Sequence, residues 1–246
     1  MSEAVSRGQT PRSAWDVATR PLLLVVSGPS GAGKTEAVRE LCERRTLARS
    51  VSATTREPRV GEQDGVDYHF LHADEFMRRV RDGEFAEWAQ YRSHCYGTLR
   101  ATLDDAKARG EDTVLEIDVQ GGAQVRARYP DALLLFILPP DMDILRARLT
   151  SRGTETPEVR ERRLQSAAEE IRRGGMYDYA IVNYEGRLDR TVDLMEAVID
   201  ADRQRISARQ ATALRAYNAE TTPSQTSTDT SGASSRTSSD TQEHLA

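Results

Sequence analysis

Residues 28–35 read Gly28-Pro29-Ser30-Gly31-Ala32-Gly33-Lys34-Thr35 and fit G-x-x-x-x-G-K-[ST]. Such a loop does one kind of chemistry. Its glycines let the chain wrap closely, so backbone N–H groups turn inward onto phosphate oxygens. A helix starting inside the loop adds its positive end. Lys34 is then placed to reach β- and γ-phosphates, and the Thr35 hydroxyl to ligate Mg²⁺. The apolar run Leu22–Ser27 before the loop predicts a buried strand, and the spacing of Val38 and Leu41–Cys42 predicts a helix over Thr35–Arg45. That context separates a phosphate loop from a chance glycine-rich turn. It points to a nucleotide without naming the reaction.

A second group of anion-seeking residues lies downstream. In Ser52-Ala53-Thr54-Thr55-Arg56-Glu57-Pro58-Arg59, two arginines flank a proline, hydroxyl residues precede them and Tyr68 follows. Guanidinium forks grip phosphate bidentately, and tyrosine and serine hydroxyls add neutral donors. A solvated basic turn would look the same, because 32 of the 34 basic residues in this chain are arginines. Against that background Lys34, one of two lysines, suggests a place where a compact ammonium is needed. Glu116 and Asp118 fall two apart at the C-terminal end of a strand predicted over Thr113–Val119, the end where ligands bind in open α/β sheets. Helix capping or ion pairing is the structural alternative for both. Cys42, Cys95 and the four histidines show neither disulfide nor zinc spacing.

The elements that must position these groups follow from periodicity. Further strands are predicted over Asp131–Leu138 and Tyr179–Val182, the latter as a core strand. Helices are predicted over Asp74–Asp82 (with Asp74 as N-cap), Asp141–Arg152 and Pro157–Arg173, and around Leu188, Val192, Met195 and Ile199. Strands alternating with helices imply a parallel sheet covered on both faces. Residues 1–20 read as a disordered leader. Residues 217–246 read as a disordered Ser/Thr-rich tail, in which 14 of the last 26 residues are Ser or Thr and too little apolar surface exists to offset ordering entropy. The ordered part is thus expected over 21–216. Net charge is −5 and mean hydropathy −0.62, which argues against a nucleic-acid coat. No run approaches the ~18 apolar residues of a membrane span. A cytoplasmic, reducing setting is expected, with no nucleic-acid or membrane partner.

The chain resembles the guanylate kinase family. The resemblance is carried by Ser52–Phe70 and continues through Glu84-Phe85-Ala86-Glu87-Trp88-Ala89, Tyr96-Gly97-Thr98, Leu115–Gly121, Phe136–Pro140, Arg152-Gly153-Thr154-Glu155 and Ile181-Val182-Asn183. These blocks run in the family's order over about 21–207. The resemblance implies an α/β fold: a P-loop NTPase core with a parallel sheet flanked by helices, a GMP-binding arm at about 53–99 and a mobile lid at about 140–165. It implies that Arg56, Arg59, Tyr68 and Tyr96 hold the GMP phosphate, that Ser52, Glu87 and Thr98 contact guanine, and that Glu116 and Asp118 serve the GMP side or the metal. It implies lid arginines at Arg148, Arg152 and Arg163, and Asn183 near the adenine. Taken singly, Glu87 also reads as a surface carboxylate beside Trp88, and each lid arginine as part of a solvated helix face.

The implied reaction is ATP + GMP ⇌ ADP + GDP with Mg²⁺, and with dGMP as a second acceptor, in purine metabolism. The attacking phosphate oxygen is already ionised, so no general base is needed. Lys34, Arg56, Arg148, Arg152 and Arg163 then act by position and charge. A monomer or small homo-oligomer is expected. Two alternatives stand beside this: a related kinase of another small phosphate, and a non-catalytic guanylate-kinase-like interaction module. The sequence departs from the family at Arg92-Ser93-His94-Cys95. It departs again at Arg173-Gly174-Gly175-Met176, where the double glycine is expected to loosen the hinge out of the lid.

Overall fold

Four of the five residues of β1 (Leu23–Ser27) are fully buried, which requires cover on both faces of its sheet. The computed structural model describes residues 21–205, apart from 92 and 152–155, within one compact unit spanning Val17–Arg205. After β1 come α1 (Lys34–Arg44), β2 (Ala48–Arg49), β3 (Ala53–Thr54), β4 (His69–Phe70), α2 (Ala73–Arg81), β5 (Phe85–Tyr91), β6 (His94–Leu99) and α3 (Arg100–Ala108). The chain continues through β7 (Thr113–Glu116), α4 (Val119–Arg128), β8 (Leu133–Leu138), α5 (Met142–Ser151), α6 (Pro157–Arg173), β9 (Tyr179–Val182) and α7 (Leu188–Arg203).

Five strands form an all-parallel sheet in the order β2-β7-β1-β8-β9. Alternation along β1 divides the core. Leu24 and Val26 pack with Val38, Leu41, Val192 and Met195. Val25 packs on the other face with Leu103, Leu115 and Val125. Parallel pairing brings the C-terminal ends of the strands to one edge, so the phosphate loop after β1, Glu116 at the end of β7 and Asn183 after β9 share it.

The predicted strand over Thr113–Val119 is two elements. β7 stops at Glu116, and Asp118 is the N-cap of α4, its Oδ1 accepting the N–H groups of Gln120 and Gly121 at 2.9 Å each. A short polar side chain at a strand end can equally end the strand and cap a helix, and here it does the latter. Asp74 is not an N-cap: α2 begins at Ala73 with His72 in that position. β9 is an edge strand, with Tyr179 and Ala180 exposed. Gly174–Met176 forms a 3₁₀ turn. A Cβ on Gly174 would meet the Phe136 ring at 3.1 Å, so the junction after α6 is packed at Gly174 and open only at Gly175. The leader, the tail and residues 206–216 lie outside the described residues.

A second, four-stranded sheet, β4-β3-β6-β5, forms the arm, with β6 antiparallel to both β3 and β5. Its β5 edge is covered by α4. Gln124 Nε2 donates to the Trp88 carbonyl at 2.7 Å, and its Oε1 accepts the Trp88 N–H at 3.2 Å. A side-chain amide thus replaces a missing strand.

Gly28 has φ +149°, and a Cβ there would lie 2.1 Å from the Ile137 carbonyl oxygen. Gly186 has φ +67° with open space around it. Gly28→Ala is therefore expected to cost more than about 2 kcal/mol in urea unfolding, and Gly186→Ala only about 1 kcal/mol.

Candidate functional site

The phosphate loop is shaped by two turns of positive φ, Gly31 at +90° and Gly33 at +87°, and closed by the Ala32 N–H donating to the Pro29 carbonyl at 3.1 Å. Gly33 is also the N-cap of α1, so the helix axis points its positive end into the loop. Lys34 Nζ donates to the Gly28 carbonyl at 2.6 Å and to that of Pro29 at 3.1 Å. The Thr35 hydroxyl donates to Glu116 Oε1 at 2.5 Å.

Asn183 braces this loop from behind. Its Nδ2 donates to the Ala32 carbonyl at 2.9 Å, its Oδ1 accepts the Thr191 hydroxyl at 3.0 Å, and its carbonyl accepts Arg148 Nη2 at 2.9 Å. Asn183 and Arg148 also line a cavity of about 340 Å³ with Gly31, Gly33 and Tyr184. The amide assigned to the adenine neighbourhood is thus engaged by the protein, and Thr191, which fixes it, carries no sequence signal beyond its helix. From α6, Arg163 Nη2 donates to the Ser30 hydroxyl at 2.7 Å. Arg152 lies outside the described residues.

The other half is a cavity of about 360 Å³ lined by Ser52, Tyr68, Glu87, Tyr96, Glu116 and Asp118. A bulge in β5 builds its floor. The register moves from Phe85↔Leu99 to Glu87↔Thr98, leaving Ala86 as an extra residue. Phe85 therefore packs on Phe76 with ring centroids 4.4 Å apart, Ala86 enters the main core, and Glu87 turns into the cavity. Glu87 is 4% exposed and accepts the Thr98 hydroxyl at 2.7 Å. Burial is the main reason that its carboxyl is pushed up to about 7. The Thr98 hydroxyl opposes the shift and the nearby Asp118 charge adds to it. A Cβ on Gly121 would lie 2.6 Å from Glu87 Oε2, so only glycine admits the carboxylate there.

Arg56 stands over Tyr68 and Phe70, its guanidinium carbon 5.4 and 5.8 Å from the ring centroids. Glu62 Oε1 accepts Arg56 Nη2 at 2.9 Å, and Oε2 accepts the Arg59 N–H at 2.7 Å. One carboxylate thus fixes the fork of the first arginine and the backbone of the second. Glu62 stands in the quoted motif, but only the fold shows what it holds. Neither arginine lines the cavity: Arg59 is exposed, whereas Arg56 is half-buried against Tyr68, which with Tyr96 does line it. Glu116 belongs to both halves: it lines this cavity, bonds Thr35, and meets Arg49 Nη2 at 3.4 Å. Arg49 is a further residue that spacing does not reveal.

The guanylate kinase family matches residues 19–202 of the chain. The chain is 47% identical over 185 residues to the guanylate kinase of Symbiobacterium thermophilum, covering 75% of this chain and 87% of that one. It is 46% identical over 190 residues to the guanylate kinase of Dechloromonas aromatica, covering 77% and 93%. It is also similar to the crystal structure of guanylate kinase from Anaplasma phagocytophilum, with TM-score 0.63 and 32% identity over 83% of this chain and 97% of that one.

The geometry at Glu87 sets a stability test. A carboxyl raised to about 7 binds more protons folded than unfolded between the ordinary carboxyl range and pH 7, so it makes stability fall as pH rises through that window. Glu87→Gln keeps an acceptor for Thr98 and removes the charge. It is expected to stabilise the protein by about 1–3 kcal/mol at pH 8 and by little at pH 4.5, measured by urea unfolding at both values.

Proposed function

The chain belongs to the guanylate kinase family, and from that premise we propose how its own residues move the terminal phosphoryl group of ATP to GMP. It is an ATP:GMP phosphotransferase. The observation that carries the assignment of residues is Glu116, a wall common to the loop that suits a triphosphate and to the cavity with a buried carboxylate.

In this reading the acceptor base lies against Glu87. Guanine offers N1–H and N2–H₂ as adjacent donors, and one carboxylate accepts both, with Ser52 and Thr98 beside it. Adenine has no donor at N1 and would leave the buried carboxylate unpaired, a mismatch that can discriminate by ~10⁴. Arg56, Arg59, Tyr68 and Tyr96 take the monophosphate, with Glu62 setting the arginines before the substrate arrives. This reading includes dGMP as a second acceptor. Residues 28–35 take the triphosphate through main-chain amides, and Lys34 the β- and γ-phosphates. Arg148, Arg152 and Arg163 offset charge on the transferring group and exclude water as the lid closes. Asn183 serves the donor site by holding the loop.

Thr35 and Glu116 fit Mg²⁺. They present hard oxygens 2.5 Å apart, and among the described residues no cluster of three or more acidic, histidine or cysteine ligands competes for a metal. That suits an ion held mainly through substrate phosphates. When bound, Mg²⁺ supplies charge neutralisation on the phosphates. A monomer or small homo-oligomer belongs to this reading. No described helix is long and apolar enough to cross a membrane; a cytoplasmic setting belongs to this reading.

A coupled assay comparing GMP, AMP and UMP tests the reading: GMP is expected to exceed both by at least about 10³ in kcat/KM. Comparable rates with AMP or UMP would refute it. Lys34→Ala is expected to abolish turnover while leaving GMP binding largely intact, and Arg59→Ala mainly to weaken GMP. Because the carboxylate form of Glu87 is the one that reads guanine, GMP affinity is expected to rise between pH 6 and 8 in the wild type. Glu87→Gln should flatten that dependence in a binding titration.

A further inference from the structure

Thr191 stands near the start of α7 and is buried. The main core fixes its place. Val192, the next residue, shares one apolar cluster with Leu24 and Val26 of β1 and Val38 of α1, the two elements that flank the phosphate loop. The Thr191 hydroxyl donates to Asn183 Oδ1 at 3.0 Å, and Asn183 Nδ2 donates to the Ala32 carbonyl at 2.9 Å. Both bonds are buried.

The direction of this pair of bonds is forced. A backbone carbonyl can only accept, so that of Ala32 takes the amide nitrogen of Asn183 and leaves the amide oxygen facing Thr191. A buried amide oxygen needs a donor, and the hydroxyl supplies it. The other acceptor in reach of that hydroxyl, the Arg187 carbonyl at 3.3 Å, already takes the Thr191 backbone N–H at 3.1 Å. The amide also has little room to settle elsewhere, since a Cβ on Gly33 would lie 2.3 Å from Asn183 Nδ2.

What these bonds hold is a peptide plane. Ala32 lies between Gly31 and Gly33, both at positive φ. Glycine accepts either sign of φ almost equally, so local sequence sets the orientation of the Ala32–Gly33 peptide only weakly. The peptide is trans and planar, and its N–H therefore points opposite to its carbonyl. Anchoring the Ala32 carbonyl on Asn183 turns the Gly33 N–H to the side away from Asn183. Amides turned inward in this way are the anion-binding groups of such a loop.

We propose that Thr191 is a positioning residue for the donor site: by fixing the Asn183 amide, its hydroxyl aims the Gly33 N–H at the phosphates of ATP. The inference rests on the reading of residues 28–35 as the triphosphate site. Thr191 acts only through Asn183 and does not line the acceptor cavity, so its loss is felt by ATP and not by GMP.

The test uses Thr191→Val, which keeps a similar shape and removes the donor. KM for ATP and for GMP is measured separately, each at saturating co-substrate, and a non-hydrolysable ATP analogue is titrated by calorimetry, with thermal unfolding as a check on folding. KM for ATP and the Kd of the analogue are expected to rise about five- to tenfold, and KM for GMP to change by less than about twofold. Thr191→Ser restores the hydroxyl and is expected to return ATP affinity to within about twofold of the wild type. Thr191→Ala is expected to behave as Thr191→Val, which keeps the test available should one variant fold poorly. A lower melting temperature with unchanged ATP affinity would mean that the hydroxyl serves stability alone, and would overturn the proposal. Equal losses for ATP and GMP, or a Thr191→Ser variant as impaired as Thr191→Val, would overturn it too. Failure of the donor reading itself would look different: Lys34→Ala would leave binding of the ATP analogue unaltered.

Discussion

Glu87 keeps a carboxylate at 4% exposure with a single side-chain hydrogen bond, from Thr98. An ionised group in that position is unfavourable until donors face it, and the architecture of the arm follows from this constraint. The β5 bulge turns Glu87 away from the face taken by Phe85. Glycine at position 121 gives its oxygen room against α4. Gln124 fastens that helix to the strand so that the room stays constant. In the proposed reading, this local loss of stability is offset when the two adjacent donors of guanine face Glu87.

In the proposed reaction the second constraint is repulsion between two polyanions, which the proposed site would meet with cations whose geometry is set by carboxylates. Glu62 orients Arg56 and the backbone of Arg59. Glu116 meets both Arg49 and Thr35. Each pairing orders a flexible side chain beforehand, so less freedom is lost when a phosphate binds. Arginine serves where a planar fork must meet oxygen pairs, and lysine serves where a point charge must reach past a loop.

The donor side is organised by support from behind. Asn183 ties Ala32 to Thr191 of α7 and through its carbonyl to Arg148 of α5. The loop, α7 and α5 therefore share one residue. The close approach of Gly31 to Leu145 and Leu149 adds an apolar joint between the same parts. The loop is thus joined to α5 by both a polar and an apolar contact.

Much of this was legible in the residues. The phosphate loop could be read because its chemistry needs glycines, a lysine and a hydroxyl in unbroken order, and the flanking strand and helix follow from local periodicity. β9 and α6 were delimited to the residue because turns, a proline and a cap bound them. Other features depend on contacts far apart in the chain. Phe85, Ala86 and Glu87 are all buried, so no period-2 pattern announces the strand that carries Glu87; only pairing with β6 creates the bulge that sends each to a different place. Asp118 reads as part of a strand until α4 packs and needs a cap. Asn183 reads as a ligand contact until Ala32 and Thr191 take both ends of its amide. Sequence determines which groups are present and their local backbone; the tertiary structure decides which of their hydrogen bonds are committed internally, because that depends on partners tens of residues away.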